Sequence, residues 1–224
     1  YISHILPELG EEQIREMSFD LFAYRQLRED VQDCEDRYHE IERRMRIAPG
    51  HWQDETAWKK EQSRCEWKQS REYVRAVEGY LLDLEDRLPD FRDISFHGYV
   101  KTAEELMKLF YDKFPDIPLL SRMDAVMEYC VDEYETLKNK TLFEEELLIL
   151  RERFQSMYLT TDSYRIYNWF LEEHGLQVLP DVPKENRYLR YEDVYPLLYL
   201  KKRLLADQNR KRVRHLVIDE MQDY

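Results

Sequence analysis

The sequence has 224 residues, 43% of them hydrophobic and 36% charged, with only 5 Gly and 8 Pro. This composition favours helices over a Gly-rich barrel or sandwich, and the length allows one large domain or two small ones. The formal net charge is −13. Residues 201–214 carry seven basic side chains and one acid, which leaves residues 1–200 with a net charge of −16. A body this acidic repels the phosphates of duplex DNA.

The sequence also disfavours a membrane protein, a secreted protein and a zinc site. A membrane-spanning helix needs about 18 consecutive apolar residues, and neither such a run nor a signal peptide is found, so we expect a cytoplasmic protein without a membrane partner. Cys34, Cys65 and Cys130 are far apart and form no Cys-x-x-Cys pair. Reduced thiols are therefore expected rather than a zinc site.

Three helices are predicted in the first part of the chain, with non-helical segments between them. A short helix is predicted from Tyr1 to Leu9, and Ser18 is a suitable N-cap for another from Phe19 to about Arg28. A third, strongly charged helix is expected from about Cys34 to Met45. Its apolar stripe is thin and consists of Tyr38, Ile41 and Met45.

A long helix is predicted from roughly Glu55 to Leu88. Its apolar positions recur at intervals of three, four and seven, which is typical of a seam that packs against another helix: Trp67, Val74, Val77, Leu81, Leu84 and Leu88. Lys68-Gln-Ser70 lies inside this helix, where the favoured interpretation is an exposed polar face.

The middle of the chain predicts a hairpin followed by amphipathic helices. The hairpin surrounds His97-Gly98, and Thr102-Ala-Glu-Glu105 fits a capping box for a helix from Ala103 to about Lys113. Thr161 or Asp162 would cap a later helix that ends at Gly175. The expected buried positions are Met123, Met127, Cys130, Tyr134, Leu137, then Phe143, Leu147, Leu150, Phe154, Met157, and finally Ile166, Trp169 and Phe170.

Residues 176–190 have no periodicity and are predicted to be a connector. The last helix should open at Tyr191, with Pro196 tolerated only in its first turn. Its expected buried face consists of Val194, Leu197, Leu198, Leu204 and Leu205. The basic stretch 201–214 that follows is either a solvated connector or a phosphate-facing patch.

The closing residues carry the strongest chemical signal. Leu216-Val-Ile218 has the pattern of a buried parallel strand, and Asp219 and Glu220 follow at its carboxyl end, where open α/β sheets bind their ligands. Together with Gln222 and Asp223, this Asp-Glu-x-Gln-Asp sequence resembles motif II of superfamily I helicases of the UvrD/Rep kind. The resemblance implies ATP and Mg²⁺ as cofactors.

The resemblance also implies a role for each residue of the motif. Asp219 would bind Mg²⁺, Glu220 would orient or deprotonate the attacking water, and Gln222 would contact the γ-phosphate or that water. The predicted catalytic residues are thus Glu220 and Gln222, and the predicted nucleotide-binding residues are Asp219, Glu220 and Gln222.

Two other stretches resemble HelD-like helicases, which remodel stalled RNA polymerase. Residues 1–11 resemble their Tyr-Ile-Ser-x-Val-Leu-Pro-x-Leu-Gly-Glu stretch after motif Ia, and residues 191–201 resemble the stretch before motif II. Lys68-Gln-Ser70 loosely resembles their Lys-Gly-Ser element. The implied architecture is mainly α, with a helical insertion domain (31–190) between two pieces of a RecA-like α/β domain (1–30 and 191–224). DNA is the implied substrate, and RNA polymerase is a candidate partner of the acidic insertion.

One part of an ATP site is missing from the sequence. No Gly-x-x-x-x-Gly-Lys-Ser/Thr phosphate loop occurs, so this chain alone should bind nucleotide poorly and hydrolyse none. Because the sequence also lacks an initial Met and ends one residue after Asp223, we expect it to be a piece of a longer ATP-dependent helicase. The alternative is a non-enzymatic acidic helical module that binds other proteins, in which the Asp-Glu pair is coincidental.

Overall fold

Helices make up most of the chain that can be described, as the composition predicts. The computed structural model describes residues 18–46 and 55–206. The first part contains α1 (Phe19–Leu27), β1 (Asp33–Cys34), α2 (Arg37–Arg46), α3 (Glu55–Lys68) and α4 (Arg71–Arg87). No helix within these described ranges combines the length and the apolarity that crossing a bilayer requires.

A small hairpin and a second set of helices complete the fold. The elements in chain order are β2 (Ile94–Phe96), β3 (Tyr99–Lys101), α5 (Ala103–Lys108), a π-helical turn (Leu109–Lys113), α6 (Leu119–Lys138), α7 (Glu144–Gln155), α8 (Ser163–Glu173), a 3₁₀ turn (Lys184–Asn186), β4 (Tyr188–Leu189) and α9 (Tyr191–Leu204).

The predicted caps are confirmed. Ser18 Oγ accepts a hydrogen bond from Leu21 N at 3.2 Å, and Asp162 Oδ1 accepts one from Tyr164 N at 3.0 Å. Thr102 and Glu105 form a reciprocal capping box. These side chains satisfy N–H groups that have no partner inside the first turn, which is why the helices begin there.

The predicted hairpin is also confirmed. β2 and β3 are antiparallel, and the turn between them has positive φ at His97 (47°) and Gly98 (76°). Two consecutive positive φ angles match the twist of the flanking strands and explain the glycine in this turn.

The single helix predicted from Glu55 to Leu88 is wrong. Helix α3 ends before Gln69-Ser70 and α4 begins after it. Ser70 adopts extended backbone angles, and its hydroxyl oxygen caps α4 by accepting a hydrogen bond from Tyr73 N at 3.2 Å. Its hydroxyl also donates to Trp67 O at 2.7 Å, at the end of α3. The apolar seam continues across the break, because Val77, Leu84 and Leu88 are buried and Trp67 is half-buried.

Ser70→Ala should lower the free energy of unfolding by about 1 kcal/mol, because α4 loses its cap. Urea denaturation followed by circular dichroism measures this change. Ser63→Ala is the matched control, since Ser63 is an exposed residue inside α3 and alanine is the better helix former there. Equal stability of the two variants would contradict the capping role.

Three further expectations need correction. The stripe on α2 is exposed at Tyr38 (67%) and Ile41 (39%), because among the residues of this helix whose side chains are described the buried one is Glu40, which pairs with arginines. Phe143 is 77% exposed, because it precedes α7 and Leu142 is buried instead. Pro196 lies in the second turn of α9 rather than the first, so the helix omits one backbone hydrogen bond there.

One aromatic cluster forms the centre of the core. Phe170 of α8 is fully buried and lies within 4.2–6.4 Å, between ring centroids, of five other rings. These belong to Trp67, Tyr73, Tyr80, Tyr167 and His174. The cluster therefore joins α3, α4 and α8.

The same core includes residues from all three predicted ranges, namely Leu27 before residue 31, Leu84 in the middle and Leu200 after residue 190. The two flanks contact each other directly, since α1 packs against α9. A short parallel pair, with Asp33 opposite Tyr188 and Cys34 opposite Leu189, joins β1 to β4. This pairing was not predicted, because two-residue strands leave no periodic signal.

Candidate functional site

The predicted catalytic residues Glu220 and Gln222 and the predicted metal ligand Asp219 lie outside the described residues, as does the predicted strand Leu216–Ile218. The structure does describe helix α9, which precedes them in the sequence. Its first turn contains the largest concentration of buried charge that we find among residues 18–46 and 55–206.

Two consecutive acids, Glu192 and Asp193, are buried at the start of α9, with exposures of 3% and 4%. They are the second and third residues of the helix. The positive end of the helix dipole stabilises carboxylates at these positions. Burial of two neighbouring charges still requires partners, and the fold supplies them from distant helices.

Asp193 binds two side chains through one oxygen. Lys68 Nζ, at the end of α3, forms a buried ion pair with Asp193 Oδ1, and the Tyr167 hydroxyl of α8 donates to the same oxygen at 2.6 Å. Burial, followed by the negative charge of Asp193, raises the pKa of Tyr167 well above its ordinary value. The phenol therefore stays protonated and remains a donor. The interpretation of Lys68 as part of an exposed face is wrong.

Glu192 and Glu35 share one arginine. Arg43 Nη2 lies 2.5 Å from Glu192 Oε2, and Arg43 also donates to both oxygens of Glu35, at 2.8 and 2.9 Å. The backbone N–H of Tyr191 donates to Glu35 at 3.0 Å. Arg43 therefore connects the residue after β1 with the first turn of α9.

The pKa values of Glu35 and Arg43 are shifted in opposite directions. Burial alone would raise the pKa of Glu35, but the hydrogen bonds from Arg43 and from Tyr191 N outweigh it and lower the pKa below the ordinary 4.5. The hydrogen bond to Glu35 is the largest cause that raises the pKa of Arg43 further. Glu35 and Arg43 thus remain ionised at neutral pH.

A pH-dependent contribution to stability follows. Because the pKa of Glu35 is lower in the folded state, its stabilisation is present above about pH 4.5 and is lost as the pH falls through the lowered value. Free energies of unfolding in urea should therefore decline less between pH 6 and pH 3 in Glu35→Gln than in the unsubstituted chain. Glu152→Gln, at an exposed position of α7, is the control. Parallel pH profiles for all three proteins would refute the prediction.

Glu192 and Asp193 form the floor of a cavity of about 790 Å³. Its walls come from α3, α8 and the connector of residues 176–190, and they include Arg64, Trp169 and Arg190. The connector is fixed by a reciprocal pair of hydrogen bonds between the Asn168 side chain and the backbone of Leu179, at 2.7 and 3.0 Å. A pocket of this size suits a small molecule.

Metal and thiol chemistry receive no support from the described part of the chain. Residues 18–46 and 55–206 contain no group of three His, Cys, Asp or Glu side chains that could hold a metal ion. None of Cys34, Cys65 and Cys130 forms a disulfide bond. Burial is the main cause that raises the pKa of Cys34 to about 12 and that of Cys130 to about 11, so both thiols stay protonated at neutral pH.

The cluster at the start of α9 was missed by reasoning from sequence. Tyr191-Glu-Asp-Val is an ordinary helix opening, since acids are common in a first turn. The partners Lys68 and Asp193 are 125 residues apart in the chain, and Arg43 and Glu192 are 149 apart. Only the tertiary fold brings them together.

Comparison with known protein families, with curated proteins and with solved structures finds no match to this chain.

Proposed function

We propose that residues 219–223 are motif II of a HelD-like, ATP-dependent superfamily I helicase or translocase. We also propose that residues 31–190, the helical body, are inserted in its first motor domain. Asp219 would hold Mg²⁺, Glu220 would activate the attacking water and Gln222 would contact the γ-phosphate. The phosphate loop would come from residues outside this sequence. The main support is the Asp-Glu-x-Gln-Asp sequence itself.

The way in which the helical body begins and ends supports the same proposal. An inserted domain must leave its host and return to it at neighbouring points. Gln32 N donates to Arg187 O at 3.0 Å, and Glu35 N donates to Leu189 O at 2.7 Å. The two ends of the range 31–190 are therefore adjacent, as an insertion requires.

Side-chain hydrogen bonds also connect the two ends of the range 31–190, which meet at one junction. Arg187 donates to Asp30 O at 3.1 Å and binds Asp162 with two hydrogen bonds, at 2.6 and 3.1 Å. Lys201 of α9 donates to Gln26 O at 2.9 Å and pairs with Asp30 at 2.5 Å. Such a junction would let the helical body and the motor move together, since both flanks are bound at one place.

The charge of the chain favours a protein partner over duplex DNA for the helical body. A net charge of −13 suits a basic surface such as a nucleic-acid channel of RNA polymerase. In a pull-down with immobilised chain, bacterial RNA polymerase should be retained and a 30-base-pair duplex should not. Retention of the duplex alone would contradict this part of the proposal.

The motor assignment is tested by ATP hydrolysis in the full-length protein that carries this sequence. Hydrolysis should require Mg²⁺, and Glu220→Gln should reduce kcat by about 10²–10⁴-fold, the usual contribution of a general base. Glu152→Gln, an exposed acid of α7, is the matched control and should not alter kcat. Unchanged hydrolysis in Glu220→Gln would favour the alternative of a non-enzymatic interaction module.

A further inference from the structure

Unused hydrogen-bond acceptors lie on the floor of the cavity beside α9. Asp193 Oδ1 accepts both hydrogen bonds described above, and Glu192 Oε2 accepts the one from Arg43. Asp193 Oδ2 and Glu192 Oε1 accept none from any described residue. Neither oxygen is among the fully enclosed side-chain atoms of the described residues that lack a hydrogen bond. Each oxygen therefore has some exposed surface, and both Glu192 and Asp193 line the cavity.

The floor also holds an excess of negative charge. Of the residues that line the floor, Glu192 and Asp193 are acidic and Lys68 is basic. A ligand group that donates hydrogen bonds is favoured here, whereas an anion is excluded from the floor.

The rim has the opposite character. Arg165 and Arg190 line the cavity and are exposed, and neither guanidinium forms a hydrogen bond or an ion pair with a described residue. Arg64 lines the same rim, which also contains Glu172 and Asp181. The two exposed guanidinium groups of Arg165 and Arg190 favour a negatively charged ligand group at the mouth, and arginine is well suited to phosphate.

A flat apolar surface lies between floor and rim. Trp169 is half-buried on α8, one helical turn after Arg165, and lines the cavity. Its ring stacks on no other ring of the described residues. An exposed indole face beside arginines is a surface on which a planar ring can stack.

We propose that this cavity binds a guanine nucleotide. Guanine presents N1–H and N2–H₂ side by side on one edge and would donate to the two open carboxylate oxygens on the floor. The ring would stack on Trp169, and the phosphate would contact Arg165 and Arg190. A free cation as ligand would make no contact with the rim arginines. Inorganic phosphate as ligand would make no contact with the acceptors on the floor. This site uses none of residues 219–223, so it goes beyond the proposed ATPase.

Isothermal titration of the chain with GMP tests the proposal. We expect binding that is at least tenfold tighter than for IMP, which lacks the 2-amino group, and tighter than for AMP. Arg165→Ala/Arg190→Ala should weaken GMP binding at least tenfold and change guanosine binding by less than twofold. Arg71→Ala/Arg75→Ala, at exposed positions of α4 outside the cavity, is the matched control and should bind GMP normally. Circular dichroism checks that each variant is folded.

Three results would overturn the proposal. These are no detectable binding of GMP at about 1 mM, an affinity for inorganic phosphate or IMP equal to that for GMP, or tighter binding of free arginine than of GMP. The test is independent of the helicase proposal, because Asp219→Asn/Glu220→Gln should leave GMP binding unchanged even if both residues serve an ATPase. Loss of GMP binding in that variant would indicate that GMP binds at Asp219 and Glu220 rather than in the cavity, and would also overturn the cavity assignment.

Discussion

Asp193→Asn should lower the free energy of unfolding by about 3–5 kcal/mol, the usual cost of removing one partner from a buried ion pair. Lys68 would lose its counterion at a site where only 7% of the residue is exposed. Tyr167, which is fully buried, would lose its charged acceptor as well. Chemical denaturation in urea measures the change.

Two controls separate this effect from ordinary loss of a surface contact. Lys108→Met removes the pair between Lys108 and Glu104, whose side chains are 66% and 79% exposed, and should destabilise the chain far less than Asp193→Asn. Lys68→Met/Asp193→Leu removes both buried charges. It should cost less stability than the sum of the costs of Lys68→Met and Asp193→Leu measured separately. An Asp193→Asn variant as stable as Lys108→Met would refute the buried cluster.

Phe170→Ala should cost about 3–5 kcal/mol, because it opens a void in the middle of the aromatic cluster. Phe170 has no exposed surface and contacts rings from three helices. Phe143→Ala is the matched control, since Phe143 is 77% exposed and should change stability by about 0.5 kcal/mol or less. Similar midpoints of thermal unfolding for the two variants would show that the core has another centre.

The helices were predictable where local signals agree. The capping box at Thr102, the cap at Ser18 and the positive-φ turn at His97-Gly98 each depend on a few neighbouring residues. The stripe on α6 was predictable because its period matches the helix, and Met123, Met127, Cys130 and Tyr134 are buried as expected. Leu137 is the exception, with 68% exposed, because it lies in the last turn of α6.

Long-range features were not predictable from one sequence. The break at Ser70 had a signal, because serine is a good N-cap, but the continuous apolar seam from Trp67 to Leu88 concealed it. The π-helical turn after Lys108 follows a normal helical pattern. The cavity and its floor arise from charged pairs more than 120 residues apart, so no local window contains them.

The buried cluster has a consequence for the proposed motor. Arg43 joins the beginning of the helical body to the first turn of α9, and α9 leads toward residues 219–223. A ligand on the cavity floor would contact Glu192 and Asp193 in that same turn. Occupation of the cavity would thereby change contacts at the helix that precedes the proposed motif II.

If Asp219 holds Mg²⁺ in an ATP site, nucleotide-dependent metal binding should depend on its carboxylate. Mn²⁺ can replace Mg²⁺ and is detected by electron paramagnetic resonance in the full-length protein with a non-hydrolysable ATP analogue. Asp207→Asn, which changes an acid of the basic stretch 201–214, is the control. We predict at least tenfold weaker nucleotide-dependent Mn²⁺ binding in Asp219→Asn and unchanged binding in Asp207→Asn. Equal Mn²⁺ affinity of the two variants would contradict the assignment of these acids to a motor.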